Sequence, residues 1–174
     1  YYGANGVIGA FNKLVINNVD IGSDPDFSLN GYFKKGIWMQ NSSGLVANNL
    51  NIYTNQTASE EDPECYGIYV SNTMDNHNLI RTMSITNVYI QRYYRGIKTE
   101  VFGTGSSSIE SIYVSQGEFV GNSAFDFQRT SAIYLSGLHM DNRSFAIRTD
   151  STNIMRVVGC DIRNGRDQYP GETD

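Results

Sequence analysis

Eight side chains in this 174-residue chain have the chemistry of a sugar site. Trp38 and Tyr69 offer aromatic faces, Lys98 and Arg148 carry positive charge, and Gln128 brings an amide. Glu100, Asp126 and Asp150 bring carboxyl groups. Aromatic rings with a wet edge, flanked by carboxylates and amides, suit a pyranose with apolar C–H faces and a hydroxyl rim. Glycoside hydrolysis needs two carboxyl groups, and a separation of about 6.5–9.5 Å suits inversion, with one acid and one base for water. These residues lie far apart in sequence. They form one site only if the fold stacks distant segments in vertical register.

A seven-residue pattern supplies that register. Its copies are VINNVDI (15–21), VANNLNI (46–52), SITNVYI (84–90), YVSQGEF (113–119), YLSGLHM (134–140) and RVVGCDI (156–162). Positions two, five and seven are apolar or small, and position four interrupts the alternation. This describes two short strands, each with one buried face, joined by a sharp bend. The bend residues are Asn18, Asn49, Asn87, Gln116, Gly137 and Gly159. Asn and Gly tolerate the left-handed backbone that such a bend needs. A small residue followed by an apolar one precedes the copies: Gly36-Ile37, Gly67-Ile68, Gly96-Ile97, Ala124-Phe125 and Ala146-Ile147, with Gly6-Val7 as a first version. Three of these pairs stand ten residues before their heptapeptide and two stand seventeen before it.

Each unit is therefore three short strands, and a repeat of this kind points to a solenoid. The expected fold is all-β: a right-handed, single-stranded parallel β-helix of about six coils, with long loops from some coils. The inward columns are Ile16-Ala47-Ile85-Val114-Leu135-Val157, Val19-Leu50-Val88-Gly117-Leu138-Cys160 and Ile21-Ile52-Ile90-Phe119-Met140-Ile162. Asn18, Asn49 and Asn87 are expected to form an amide ladder. A leucine-rich repeat fits less well, because its consensus leucines and helical segment are missing.

The same alternation places Trp38, Tyr69, Lys98, Asp126 and Arg148 in one outward column, and Gln40, Ser71, Glu100, Gln128 and Asp150 in the next. Strand spacing puts Glu100 about 8 Å from Asp126 and about 9.6 Å from Asp150. A charge ladder of Lys98, Asp126 and Arg148 would explain that column equally well. A third outward column, Asp20-Asn51-Tyr89-Glu118-His139-Asp161, sets Glu118 beside His139, more as a surface pair than as a catalytic dyad.

Composition narrows the remaining possibilities. The net charge of −5 argues against nucleic acid, which needs a basic footprint. No apolar run approaches membrane-spanning length, so membrane insertion is not expected, and no signal peptide is visible. There is no nucleophile elbow, phosphate loop, zinc spacing or EF-hand loop, and no cofactor or metal is expected. The acidic insertion residues Asp24, Asp26, Glu60, Glu61, Asp62 and Glu64 read as solvated loops. Cys160 is expected inside the last coil and Cys65 in a loop, about 19 Å away by strand spacing, too far for a disulfide. The whole of 1–174 reads as one β-helix segment, a piece of a longer chain or one whose ends partners cover.

GIWMQNSSGLVANNLNIYTN (36–55) and AFDFQRTSAIYLSGLHMDN (124–142) resemble coils of the pectate-lyase-like superfamily of right-handed β-helices. The variable insertions and Tyr/Asn/Ser-rich exterior are most similar to tailspike proteins of tailed bacteriophages. The resemblance implies an extracellular or virion-associated homotrimer that binds, and often cleaves, a bacterial surface polysaccharide. It transfers no catalytic residue. Two expectations stand side by side. One is a depolymerase, hydrolase or lyase, with Glu100, Asp126 and Asp150 as acids and Trp38 and Tyr69 as sugar platforms. The other is a non-catalytic glycan-binding adhesin or structural shaft.

Overall fold

Six residues were expected to bend the chain, and in the computed structural model all six have positive φ: Asn18 (54°), Asn49 (52°), Asn87 (53°), Gln116 (54°), Gly137 (60°) and Gly159 (61°). The structure describes residues 5–9, 13–22, 33–54, 58–73, 81–102 and 109–164. A second set of left-handed residues, Asn41, Arg129 and Ser151, follows the upstream strand segment where the ten-residue spacing is kept. One residue of left-handed backbone is enough to turn from one strand segment into the next. The two seventeen-residue spacings carry the turns around 71–83 and 99–111, of which 74–80 and 103–108 lie outside the described residues.

The elements are β1 (Asn5–Gly9), β2 (Leu14–Gly22), β3 (Lys35–Gln40), β4 (Gly44–Tyr53), α1 (Ala58–Glu61), β5 (Tyr66–Thr73), β6 (Thr82–Tyr93), β7 (Arg95–Phe102), β8 (Ile109–Gln128), β9 (Thr130–Asp150), β10 (Ile154–Val158) and β11 (Asp161–Asn164). The fold is nearly all β, and every strand pairing is parallel. The strands stack tier on tier into a solenoid-like, nearly closed sheet. One ladder runs β1-β3-β5-β7-β8 and the other β2-β4-β6-β8, and β9 adds the next tier to β8.

The register matches the repeat. Ile16, Ala47, Ile85, Val114, Leu135 and Val157 are successive partners, as are Ile21, Ile52, Ile90, Phe119, Met140 and Ile162. Val7, Ile37, Ile68, Ile97, Phe125 and Ile147 do the same on the other side of the core. The glycine before Ile37, Ile68 and Ile97 has a packing cause. A Cβ on Gly36 would lie 2.6 Å from Ile52 Cγ2, one on Gly67 2.6 Å from Ile90, and one on Gly96 2.7 Å from Phe119. The third inward column thus packs onto the upstream strands, and a side chain there would collide with it.

Cys65 lies in a loop just ahead of β5, as expected, and is fully buried in the hydrophobic core. Two expectations need correction. Cys160 is only half-buried, and Val157 and Ile162 are exposed, because among the described residues no strand lies over β10 and β11. The acidic insertion is not uniformly solvated: Glu60 in α1 is 2% exposed and pairs with Arg143 at 3.1 Å. His139 stands beside Glu118 in register, as expected, and bonds Asp161 in the tier above (Nδ1 to Oδ2, 3.1 Å). Asp24 and Asp26 lie outside the described residues.

Candidate functional site

The first outward column forms as expected: Trp38, Tyr69, Lys98, Asp126 and Arg148 are partners in successive tiers. Gln40, Ser71 and Glu100 follow each other in the next, and Gln128 faces Asp150. Beside the first runs a further column outside the seven-residue pattern, Lys35, Tyr66 and Arg95. It was readable in the sequence, since each of these residues stands immediately before the small residue of an upstream pair. These side chains turn the face from a row into a cluster.

At the centre, Tyr69 lies between two rings, with centroids 4.9 Å from Tyr66 and 6.0 Å from Trp38. Lys35 Nζ stands 4.9 Å from the Trp38 ring centre, and Lys98 Nζ 5.0 Å from that of Tyr66. Such cation–π contacts hold the lysines over the rings. The Tyr69 hydroxyl donates to Glu100 Oε2 at 2.5 Å, and Lys98 stands 3.5 Å from the same oxygen. Burial, then the hydrogen bond to Glu100, pushes the Tyr69 phenol far up, so it stays a donor. Tyr69 is itself buried, at 7% exposure. It was expected to present an open face to a sugar, but Tyr66 and Trp38 take up its surroundings. Trp38 stays partly exposed and donates from Nε1 to Ser71 Oγ at 3.1 Å.

Asp126 sits in a different environment. It is 2% exposed and receives two arginines. Arg148 donates from Nε to Oδ1 (2.9 Å) and from Nη2 to Oδ2 (2.5 Å), and Arg95 donates from Nε to Oδ2 (3.2 Å). Burial alone would raise this carboxyl. The bonds and charges of Arg148, then of Arg95, outweigh it and hold Asp126 below the usual carboxylate range. A carboxylate fixed this way anchors arginines and is poorly suited to donating a proton. Arg148 keeps an exposed side chain above it. Asp150 is exposed and accepts from Ser151 Oγ at 3.0 Å. The Gln128 backbone N–H donates to Thr99 Oγ1 at 2.9 Å, tying β8 to β7.

The third outward column also forms, Asp20-Asn51-Tyr89-Glu118-His139-Asp161. It borders an open groove of about 500 Å³ beside the asparagine bends. Asn49 Nδ2 donates to Asn18 Oδ1 at 2.7 Å and Asn87 Nδ2 to Asn49 Oδ1, so the expected amide ladder is present on the surface. Among the described residues, no three His, Cys, Asp or Glu side chains gather as a metal site would require.

No protein-family model, curated protein or solved structure matches this chain.

Proposed function

We propose that the chain forms a right-handed parallel β-helix of about six coils that binds a bacterial surface polysaccharide and cleaves it. The supporting observation is the face built from Trp38, Tyr66 and Tyr69, with Lys35 and Lys98 over the rings and Glu100 at their edge. The partly exposed Trp38 ring meets the apolar face of a pyranose, and the polar groups at its rim orient the hydroxyls. Glu100 accepts from a phenol that stays protonated, which suits a carboxylate that activates water. Asp150, two tiers on and exposed, takes the acid role at about 9.6 Å by strand spacing, at the upper end of the inverting range. Asp126 positions Arg148 toward the glycan, with Gln128 beside it. By the same resemblance, the assembly is a homotrimer working outside a cell or on a virion.

One observation favours binding without cleavage: Glu100 is engaged by both Tyr69 and Lys98, and Asp126 by two arginines. Incubation with a panel of bacterial surface polysaccharides separates the readings. Hydrolysis releases new reducing ends, and lyase action also raises ultraviolet absorbance. Trp38 is the only tryptophan, so its fluorescence reports occupancy of this face. Glu100→Gln should abolish shortening and spare the fluorescence change. Retention of a polysaccharide without shortening would leave the adhesin reading, and unchanged turnover by the variant would remove Glu100 from the mechanism.

A further inference from the structure

The groove beside the asparagine bends has a different chemistry from the Trp38 face. It spans the tiers from Asp20 to His139, about 19 Å at one strand spacing per tier. Its volume of about 500 Å³ lies within the range of ligand sites. Tyr89 adds a ring to its lining, while Leu50 and Val88 border it from the core and are each only 1% exposed. Asp20 and Glu118 supply carboxylates, and among the described residues no lysine or arginine lines it. His139, the one basic lining residue, is bonded to Asp161. Arg163, through its hydrogen bond, and then His139 hold Asp161 below the usual carboxylate range, so that carboxylate remains charged near neutrality.

Hydrogen-bonding capacity is left over along its length. Each asparagine of the ladder uses one amide N–H at most on its neighbour, and a primary amide has two. Asn51 Oδ1 is buried and accepts no hydrogen bond. An acceptor withdrawn from water without a partner is costly, and a ligand hydroxyl that draws the Asn51 amide out into the groove relieves that cost.

We propose that this groove is a second glycan-binding site, selective for neutral, hydroxyl-rich oligosaccharides. Amides and carboxylates both bond sugar hydroxyls, the carboxylates as acceptors only. The partly exposed Tyr89 ring meets a C–H face. A uronate or phosphate group is repelled by Asp20 and Glu118, with no lysine or arginine among the described lining residues to offset them. This selectivity is opposite to that of the Trp38 face, where Lys35 and Lys98 stand over the rings. The groove lies on another side of the solenoid, and its assignment does not depend on cleavage or binding at Trp38.

The test titrates the chain with size-matched neutral and uronate-containing oligosaccharide fractions from a panel of bacterial surface polysaccharides. Amide resonances of Asn51, Gly117 and Glu118 report the groove, and Trp38 fluorescence reports the other face. At least one neutral fraction should shift the groove resonances, and no uronate fraction should. Tyr89→Ala should weaken that binding about tenfold, the loss of one well-packed contact. Glu118→Lys should weaken the neutral fraction and admit the uronate one, with circular dichroism confirming an unchanged fold. The proposal is overturned if no neutral fraction moves these resonances at millimolar concentration. Equal response to uronates, or indifference to both substitutions, overturns it as well. A Trp38 response without a groove response sinks this site alone, and the converse sinks only the reading of the first face.

Discussion

The Trp38 face and the asparagine groove come from the same repeat, yet they treat charge in opposite ways. On the first, Asp126 is almost fully buried under Arg95 and Arg148, and Tyr69 is closed in by its neighbours. On the second, Asp20 is exposed and Glu118 half-exposed beside amides that bond one another. The difference traces to the residue before each small–apolar pair. Lys35, Tyr66 and Arg95 are long enough to fold over the column beside them. The groove is bordered instead by short asparagine side chains engaged along the stack. A long neighbour closes a face into a packed cluster, and a short one leaves a channel.

Substitutions at the two sites should separate them. The largest effect is expected for Asp126→Asn, which leaves Arg95 buried and its charge uncompensated. A loss of about 3–5 kcal/mol should appear in urea denaturation, as for other broken buried pairs. Glu118→Gln in the groove should change stability by less than about 0.5 kcal/mol. Comparable losses at both positions would erase the contrast.

Next come two glycines of the groove side. At Gly117 a Cβ would run into the Val88 carbonyl oxygen, whereas at Gly137 the nearest atom is 4.0 Å away and only the positive φ objects. Gly117→Ala should therefore cost about 1–3 kcal/mol through overpacking. Gly137→Ala should cost about 1–2 kcal/mol through left-handed backbone alone. Thermal midpoints of the two variants rank them, and the reverse order would mean that tier spacing relaxes more easily than the bend.

The smallest effect is in acid. Asp126 titrates below its unfolded value of about 3.9 in the folded chain. Its contribution is complete above that value and is lost as the pH falls through the lower folded one. Between pH 7 and 5 the stability of the parent and of Asp126→Asn should run parallel. Below about pH 4 the parent should fall toward the variant. Divergence above pH 5 would point to another group.

The positions that bend and the residues that stack were legible before any coordinates. All six bend residues have left-handed φ, and the inward columns pair as the heptapeptides dictate. Alternation and left-handed tolerance are properties of a residue and its immediate neighbours, so they survive in a linear string. Cys65 shows where that reading stops. Lying between an insertion and β5, it has no place in the repeat, and its burial comes from the core around it. Glu60 likewise reads as one acid in an acidic run until Arg143, a distant residue in sequence, closes on it.

By itself the sequence determined which way each strand residue faces and which residue stands above it. Only the tertiary structure decided which outward side chains meet water. Burial of a polar group depends on the length and charge of side chains in adjacent columns and tiers. Asp126 thus became an anchor because two arginines from neighbouring tiers converge on it, while Glu118, outward on the same strand β8, stayed open.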